Sequence, residues 1–158
     1  MNNQELESIW ADGIPAKINP EDLMKPEDIL KLCIRFTLEK ILTSKGYKIV
    51  GIIDQLDKFP HITAEKDGSK YGIVVLPEIF PRFGSVVDDF RIKFVNASKE
   101  HNIIPVLCPV LIHSVDKARA EKSVMLKGDV FNCLNIGQII LNNEPKQEIT
   151  PQTLTFKL

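Results

Sequence analysis

Tyr47-Lys48-Ile49-Val50-Gly51-Ile52-Ile53, then Phe59-Pro60-His61-Ile62-Thr63-Ala64-Glu65, then Lys66-Asp67-Gly68-Ser69 and Tyr71-Gly72-Ile73-Val74-Val75-Leu76-Pro77: the fold turns on this run. Residues 47–53 are apolar and β-branched and read as a strand. Residues 62–65 and 71–76 flank Asp67-Gly68. That dipeptide tolerates positive φ at both central positions of a tight turn, so the pair predicts a β-hairpin. Pro77 and Pro81 then mark the end of the sheet segment, because proline has no N–H to give to a ladder.

Upstream, Leu30, Cys33, Ile34, Leu38, Ile41 and Leu42 recur at helical spacing and predict a helix with one apolar face. Pro26, Glu27 and Asp28 suit its first turn, where negative charge meets the positive end of the helix dipole, and Gly46 suits its C-terminal cap. Residues 1–28 read as an arm: a short helix near 4–11, then Pro15, Pro20 and Pro26. Trp10 could anchor that arm on the domain or on another subunit. Downstream, 86–101 predicts a second helix with Val87, Phe90, Phe94, Ala97 and Ser98 inside. Residues 103–112 are apolar but carry Pro105 and Pro109, which predicts an edge, bent or interrupted strand. Residues 115–121 read as a short helix, 125–134 as two short strands around Lys127-Gly128-Asp129, and 136–141 as a helical turn or a strand. The tail, 142–158, ends in the β-prone Thr153-Leu154-Thr155-Phe156. The expected architecture is α/β, a mixed β-sheet flanked by helices, with the domain at 29–141.

The core order of helix, three strands, helix, strand resembles the PD-(D/E)XK superfamily, the restriction-endonuclease-like fold, over residues 30–134. In that family a Pro-Asp step is followed, one strand later, by an acid-x-Lys triplet. Pro60-His61 stands at the first motif and Val74-Val75-Leu76 at the second, so His61 replaces the Asp, Val74 the acid and Leu76 the lysine. The downstream segment is also similar to small members of the superfamily whose function is unassigned. They share a helix ending in Ala-x-x, a strand with a Pro-Val step, and a short Asp-and-Arg helix before a Gly-Asp turn. The corresponding residues are Ala97, Pro109-Val110, Asp116 to Arg119 and Gly128-Asp129.

The resemblance implies a fold, and the residues at its motif positions argue against its usual chemistry. Phosphodiester hydrolysis in that family uses Mg²⁺, which needs hard oxygen ligands, normally two or more carboxylates. Side chains two apart on a strand share a face, so an acid and a lysine at 74 and 76 would reach one metal centre. Val74 and Leu76 can do neither. His61 has two readings: an imidazole ligand or base working near pH 7, or a surface or hairpin histidine with a satisfied hydrogen bond. Glu78 is a candidate migrated acid, and Glu39, on the first helix, a candidate supporting acid; a solvated charge is the competing explanation for each. His113-Ser114-Val115-Asp116 holds the residue types of a hydrolase triad, but neighbours in sequence do not converge as a triad must. Ser114 or Asp116 reads better as a helix N-cap. Lys117, Arg119, Lys122 and Lys127, with Arg82 and Arg91, form either an anion-binding patch or a solvated face.

With 158 residues, 44% hydrophobic and 26% charged, the chain fits one ordinary globular domain. Twenty basic residues against 21 acidic leave a net charge of -1, which gives no support to bulk phosphate binding. The amino terminus lacks the basic and apolar regions of a secretory signal, and no apolar run approaches the roughly 20 residues of a membrane helix. Cys33, Cys108 and Cys133 sit in apolar segments and read as buried hydrophobes of a reducing, cytoplasmic compartment. The expected function is a non-catalytic nuclease-like domain serving as a binding or assembly module, with no cofactor and no membrane contact; its partner is left open between a protein, a second copy and a nucleic acid, the last unsupported by the net charge. The alternatives are a nuclease whose Mg²⁺ site is rebuilt from His61, Glu78 or Glu39, and a structural homo-oligomer subunit.

Overall fold

The computed structural model describes residues 20–79, 88–121, 124–135 and 137–142. The expected helix near 4–11, Trp10, Pro81, Arg82, Val87, Lys122 and the tail strand lie outside the described residues.

Helix α1 (Pro26–Phe36) begins with Pro at its first turn beside Glu27 and Asp28. It continues through a π-helical stretch, Thr37–Leu42, and a 3-10 turn, Thr43–Lys45, to Gly46 in the left-handed region at φ 83°. The wider π turn puts Thr37 rather than Leu38 fully inside. The Thr37 hydroxyl is satisfied by donating to the Cys33 carbonyl at 2.8 Å.

Strands β1 (Lys48–Ile52), β2 (Ile62–Lys66) and β3 (Ser69–Ile79) are antiparallel neighbours. The β2–β3 turn is the one its dipeptide predicts, with Asp67 at φ 51° and Gly68 at φ 80°. Helix α2 (Asp88–Glu100) then crosses over to β4 (Ile104–Ser114), which lies parallel to β3. After helix α3 (Lys117–Glu121), β5 (Phe131–Asn135) and β6 (Ile139–Ile140) both pair antiparallel with β4. The result is a mixed six-stranded sheet in the order β1-β2-β3-β4-β5, with β6 also on β4.

The two faces of the sheet bury different cores, set by the alternation of side chains along each strand. Ile62, Ala64, Ile73, Val75, Val106 and Cys108 pack with Leu30, Cys33 and Ile41 of the first helix. Val74 and Leu107 pack with Phe94 and Val95 of α2 and with Ile139 and Leu141.

The prolines overturn two expectations. Pro77 does not end β3, which runs on to Ile79, and β4 is an interior strand rather than an edge. The reason is backbone parity. Within a strand, alternate residues point their N–H and C=O to opposite neighbours. Ile73 accepts from His61 N on the β2 side, so Pro77 also faces β2, which has already ended. Pro105, which accepts from Leu141 N at 2.9 Å, and Pro109 face the other way, towards β6 and β5. Pro109 falls where the partner of β4 changes from one to the other. None of these prolines interrupts the parallel β3–β4 ladder.

Other expectations also shift. The buried face of α2 is Arg91, Phe94, Val95 and Ser98, with Ala97 exposed, because the stripe at helical spacing runs through a buried arginine. Residues 125–134 hold one strand, not two. Leu126 makes only an isolated bridge to Leu23, framed by bonds from Met24 N to Met125 O and from Lys127 N to Asp22 O. Residues 136–141 contribute the short strand β6.

Candidate functional site

The three motif positions converge. Val74 and Leu76 share one face of β3, and His61 sits just before β2, beside them. Together with Leu56, Phe59, Pro77, Phe90 and Leu107 they line a cavity of about 240 Å³. Val74 is 4% exposed and belongs to the core against α2, with Leu76 and Phe90 half-buried against the same cluster. Phe59 and Phe90 form an aromatic wall, their centroids 4.5 Å apart, and Phe59 lies 5.0 Å from the His61 ring. The sequence reading missed this role for Phe59 and Phe90; the only signal was an aromatic beside the Pro-His step and another on the inner face of the helix.

His61 is 3% exposed, not a surface histidine. Its backbone N–H makes the last β2-side bond to β3, donating to Ile73 O at 3.0 Å. The next in-phase donor on β3 is Val75 N–H, and no strand carbonyl remains opposite it. His61 Nδ1 accepts it at 3.0 Å, so the side chain extends the ladder by one bond. A nitrogen that accepts a hydrogen bond is unprotonated, so the neutral ring carries its proton on Nε2. Burial pushes the His61 pKa below the ordinary value of 6.5, against a smaller opposing effect of the Gln55 carbonyl. The ring therefore presents an N–H and no free lone pair. Of the two readings of His61, a metal ligand or base would need the lone pair that this ring gives to the Val75 amide.

The other candidates do not join it. Because β3 continues past Pro77, Glu78 does face the same way as Val74 and Leu76; it is buried and engaged by its own neighbours, outside the lining of the cavity. Glu39 lies exposed on the π-helical stretch and accepts from Arg35 Nε at 3.0 Å. It borders a separate depression with Leu32, Phe36 and Phe131. Among the described residues, no three His, Cys, Asp or Glu side chains gather closely enough to hold a metal ion. The residues at the motif positions do not fit Mg²⁺, which needs hard oxygen donors.

Of the candidate cations, Arg91 and Arg119 are absorbed in structure, while Lys117 and Lys127 lie exposed. Arg91 is 1% exposed; it donates to Asp88 Oδ1 at 3.1 Å and to the Asn142 carbonyl. Lys117 reaches Glu121 at 4.0 Å. Arg119 grips Asp129 with two bonds, Nε to Oδ2 at 2.7 Å and Nη2 to Oδ1 at 2.9 Å. Ser114 Oγ donates to the same carboxylate at 2.7 Å, while Asp116 caps α3 by accepting from Arg119 N at 3.0 Å. Ser114 and Asp116 thus tie β4 to α3 and β5; they are not members of a triad. Burial would raise the Asp129 pKa, but the bonds from Arg119, Ser114 and the Val130 amide outweigh it and hold the carboxyl below its usual range. Asp129→Ala is expected to cost about 1–3 kcal/mol, read as a lower urea midpoint, because it leaves the Arg119 guanidinium only Asp116, at 3.7 Å, and orphans the buried Ser114 hydroxyl. A midpoint unchanged by the substitution would show that this clamp carries no stability.

A larger depression of about 650 Å³ lies at the hairpin end, lined by Lys48, Glu65, Lys66, Asp67, Lys70 and His101. Its charges are mixed: Lys70 approaches Glu65 at 3.9 Å, and Lys66 lies over the Tyr47 ring at 4.9 Å.

No curated protein matches the chain. Residues 27–139, from the first turn of α1 to the start of β6, match a family model, and the chain belongs to that family, the domain of unknown function DUF8840.

Proposed function

We propose that this protein is a non-catalytic domain of restriction-endonuclease-like type, kept as a binding or assembly module. The element order supports the fold reading: a helix, three antiparallel strands, a crossover helix and a parallel strand. The observation that carries the functional reading is the cavity at His61, Val74 and Leu76. These are the positions where the superfamily resemblance expects a metal, and they bring an apolar surface and a spoken-for imidazole. A fold alone does not hand down an activity, and here the site opposes it.

An assembly role draws support from β1, the edge strand, where Val50 and Ile52 are exposed beside Ile53, Leu56 and Phe59. Apolar edges of this kind pair with other chains unless covered. Among the described residues, no helix is long and apolar enough to cross a membrane. A cytoplasmic setting, which keeps thiols reduced, suits the free Cys33, Cys108 and Cys133.

The rearranged nuclease remains as a second reading on one observation, the orientation of Glu78 on the Val74–Leu76 face. Melting curves with and without Mg²⁺ or Mn²⁺ separate the two, since a ligand raises stability only by binding the native state. The expected result is no saturable rise. A metal-dependent rise abolished by Glu78→Ala or His61→Ala would establish the nuclease reading instead.

A further inference from the structure

The cavity beside β3 has a recognisable chemistry. It encloses about 240 Å³, and His61 is the only polar side chain in its lining among the described residues. So apolar a lining offers water few hydrogen-bond partners and accepts apolar guests. The Phe59 and Phe90 rings, tilted at 59°, offer faces and edges to an aromatic guest. Among the described residues no acidic or basic side chain other than His61 lies in the lining, so they give a charged ligand no compensation for its lost water. A second observation adds a polar requirement. His61 Nε2 is buried and has no hydrogen-bond partner among the described residues. Since Nδ1 accepts the Val75 amide, Nε2 carries a proton, and the nearby Gln55 carbonyl does not meet it in hydrogen-bond geometry. Leu56 and Phe59, 43% and 39% exposed, leave the outer wall on the β1–β2 loop open to solvent.

We infer that this cavity is a binding site for a small, uncharged aromatic compound bearing one hydrogen-bond acceptor, with the Nε2–H of His61 as its polar anchor. The inference rests on the non-catalytic reading of the same positions, because a bound cation would need the donors that the lining lacks. The aromatic ring lies against the wall that Phe59 and Phe90 form together, facing Leu76. The acceptor relieves a buried, unpaired donor, an arrangement that is costly while it lasts.

Acetophenone is a suitable probe, with α-methylstyrene, in which CH₂ replaces the carbonyl oxygen, as the control lacking an acceptor. Benzoate is the charged control, and Mg²⁺ is titrated in parallel. Binding is followed by calorimetry and by ¹H–¹⁵N spectra. Acetophenone should bind saturably, shifting the Val75 and Leu76 amides and the His61 ring. α-Methylstyrene should bind roughly tenfold more weakly, the worth of one net hydrogen bond. Benzoate should not saturate. Leu76→Trp, filling the cavity from its half-buried rim, should abolish binding while the spectrum stays folded. His61→Asn keeps an acceptor for the Val75 amide and should reduce acetophenone to the level of α-methylstyrene. Absence of saturable binding by either neutral compound to folded protein overturns the inference and leaves the non-catalytic reading standing, as does benzoate binding as well as acetophenone. Equal affinity for the two neutral compounds overturns it too, by removing His61 as the anchor. Saturable Mg²⁺ binding that shifts His61 and residues 74–78 would instead overturn the reading beneath it.

Discussion

The triple variant His61→Asp, Val74→Glu, Leu76→Lys, which restores the superfamily motif, is expected to be badly destabilised and to cleave no DNA. The dominant loss comes from Val74→Glu. Val74 is buried against Leu107, Phe94 and Val95 on the α2 side of the sheet, within a cluster of apolar side chains. An uncompensated buried charge costs about 3–5 kcal/mol. Leu76 is half-buried, so a lysine there can run its stem along the wall and lift its ammonium to water, losing less. A domain of this size has only about 5–15 kcal/mol in total, so the variant should melt at least about 10 °C lower or fail to fold. Leu76→Lys alone should fold and serves as the control. If the triple variant keeps wild-type stability and cleaves DNA with Mg²⁺, the cavity is an open polar cleft and the packing account is wrong.

His61→Ala should cost about 1–3 kcal/mol, because it strands the Val75 N–H in a buried strand with no acceptor. His61→Asn, whose Oδ1 can take the place of Nδ1, should recover most of that loss. The same bond sets a pH dependence. Folding holds the imidazole neutral and lowers its pKa, so below about pH 6.5 the unfolded chain binds a proton that the folded chain refuses. Stability contributed by this residue is therefore complete above the unfolded pKa. It falls as pH drops from there towards the lowered folded value, by up to about 1.4 kcal/mol per pH unit. Urea midpoints of wild type and His61→Asn should thus be similar at pH 8 and diverge below pH 6.5, the variant holding its stability better. Parallel midpoints across that range would contradict a buried, neutral His61.

The hairpin and the two helices were legible because their signals are local. Asp67-Gly68 specifies positive φ at two adjacent residues, and the apolar period of residues 30–42 specifies one helix face. The prolines misled because their effect depends on which neighbour each backbone nitrogen faces, a property of the assembled sheet. Pro77, Pro105 and Pro109 all point away from the β3–β4 ladder, and nothing in their immediate sequence says so. Arg91 misled in the same way: a charged residue reads as outside until its partners, Asp88 and the Asn142 carbonyl, are brought to it. The candidate site was half legible. His61, Val74 and Leu76 could be named in advance, and they converge in space. The use made of His61 could not be read, because the lone Val75 N–H exists only where β2 stops short of β3.

The most direct test of the central claim, that apolar packing and a ladder-bonded imidazole occupy the motif positions, is a Mn²⁺ titration followed by ¹H–¹⁵N NMR. A bound paramagnetic ion broadens the amides nearest to it. The account predicts weak, unsaturable broadening confined to exposed acidic residues such as Glu39, with the amides of His61, Val74, Val75, Leu76 and Glu78 intact. Selective, saturable loss of those amides at low Mn²⁺ would place a metal at the site and contradict the account.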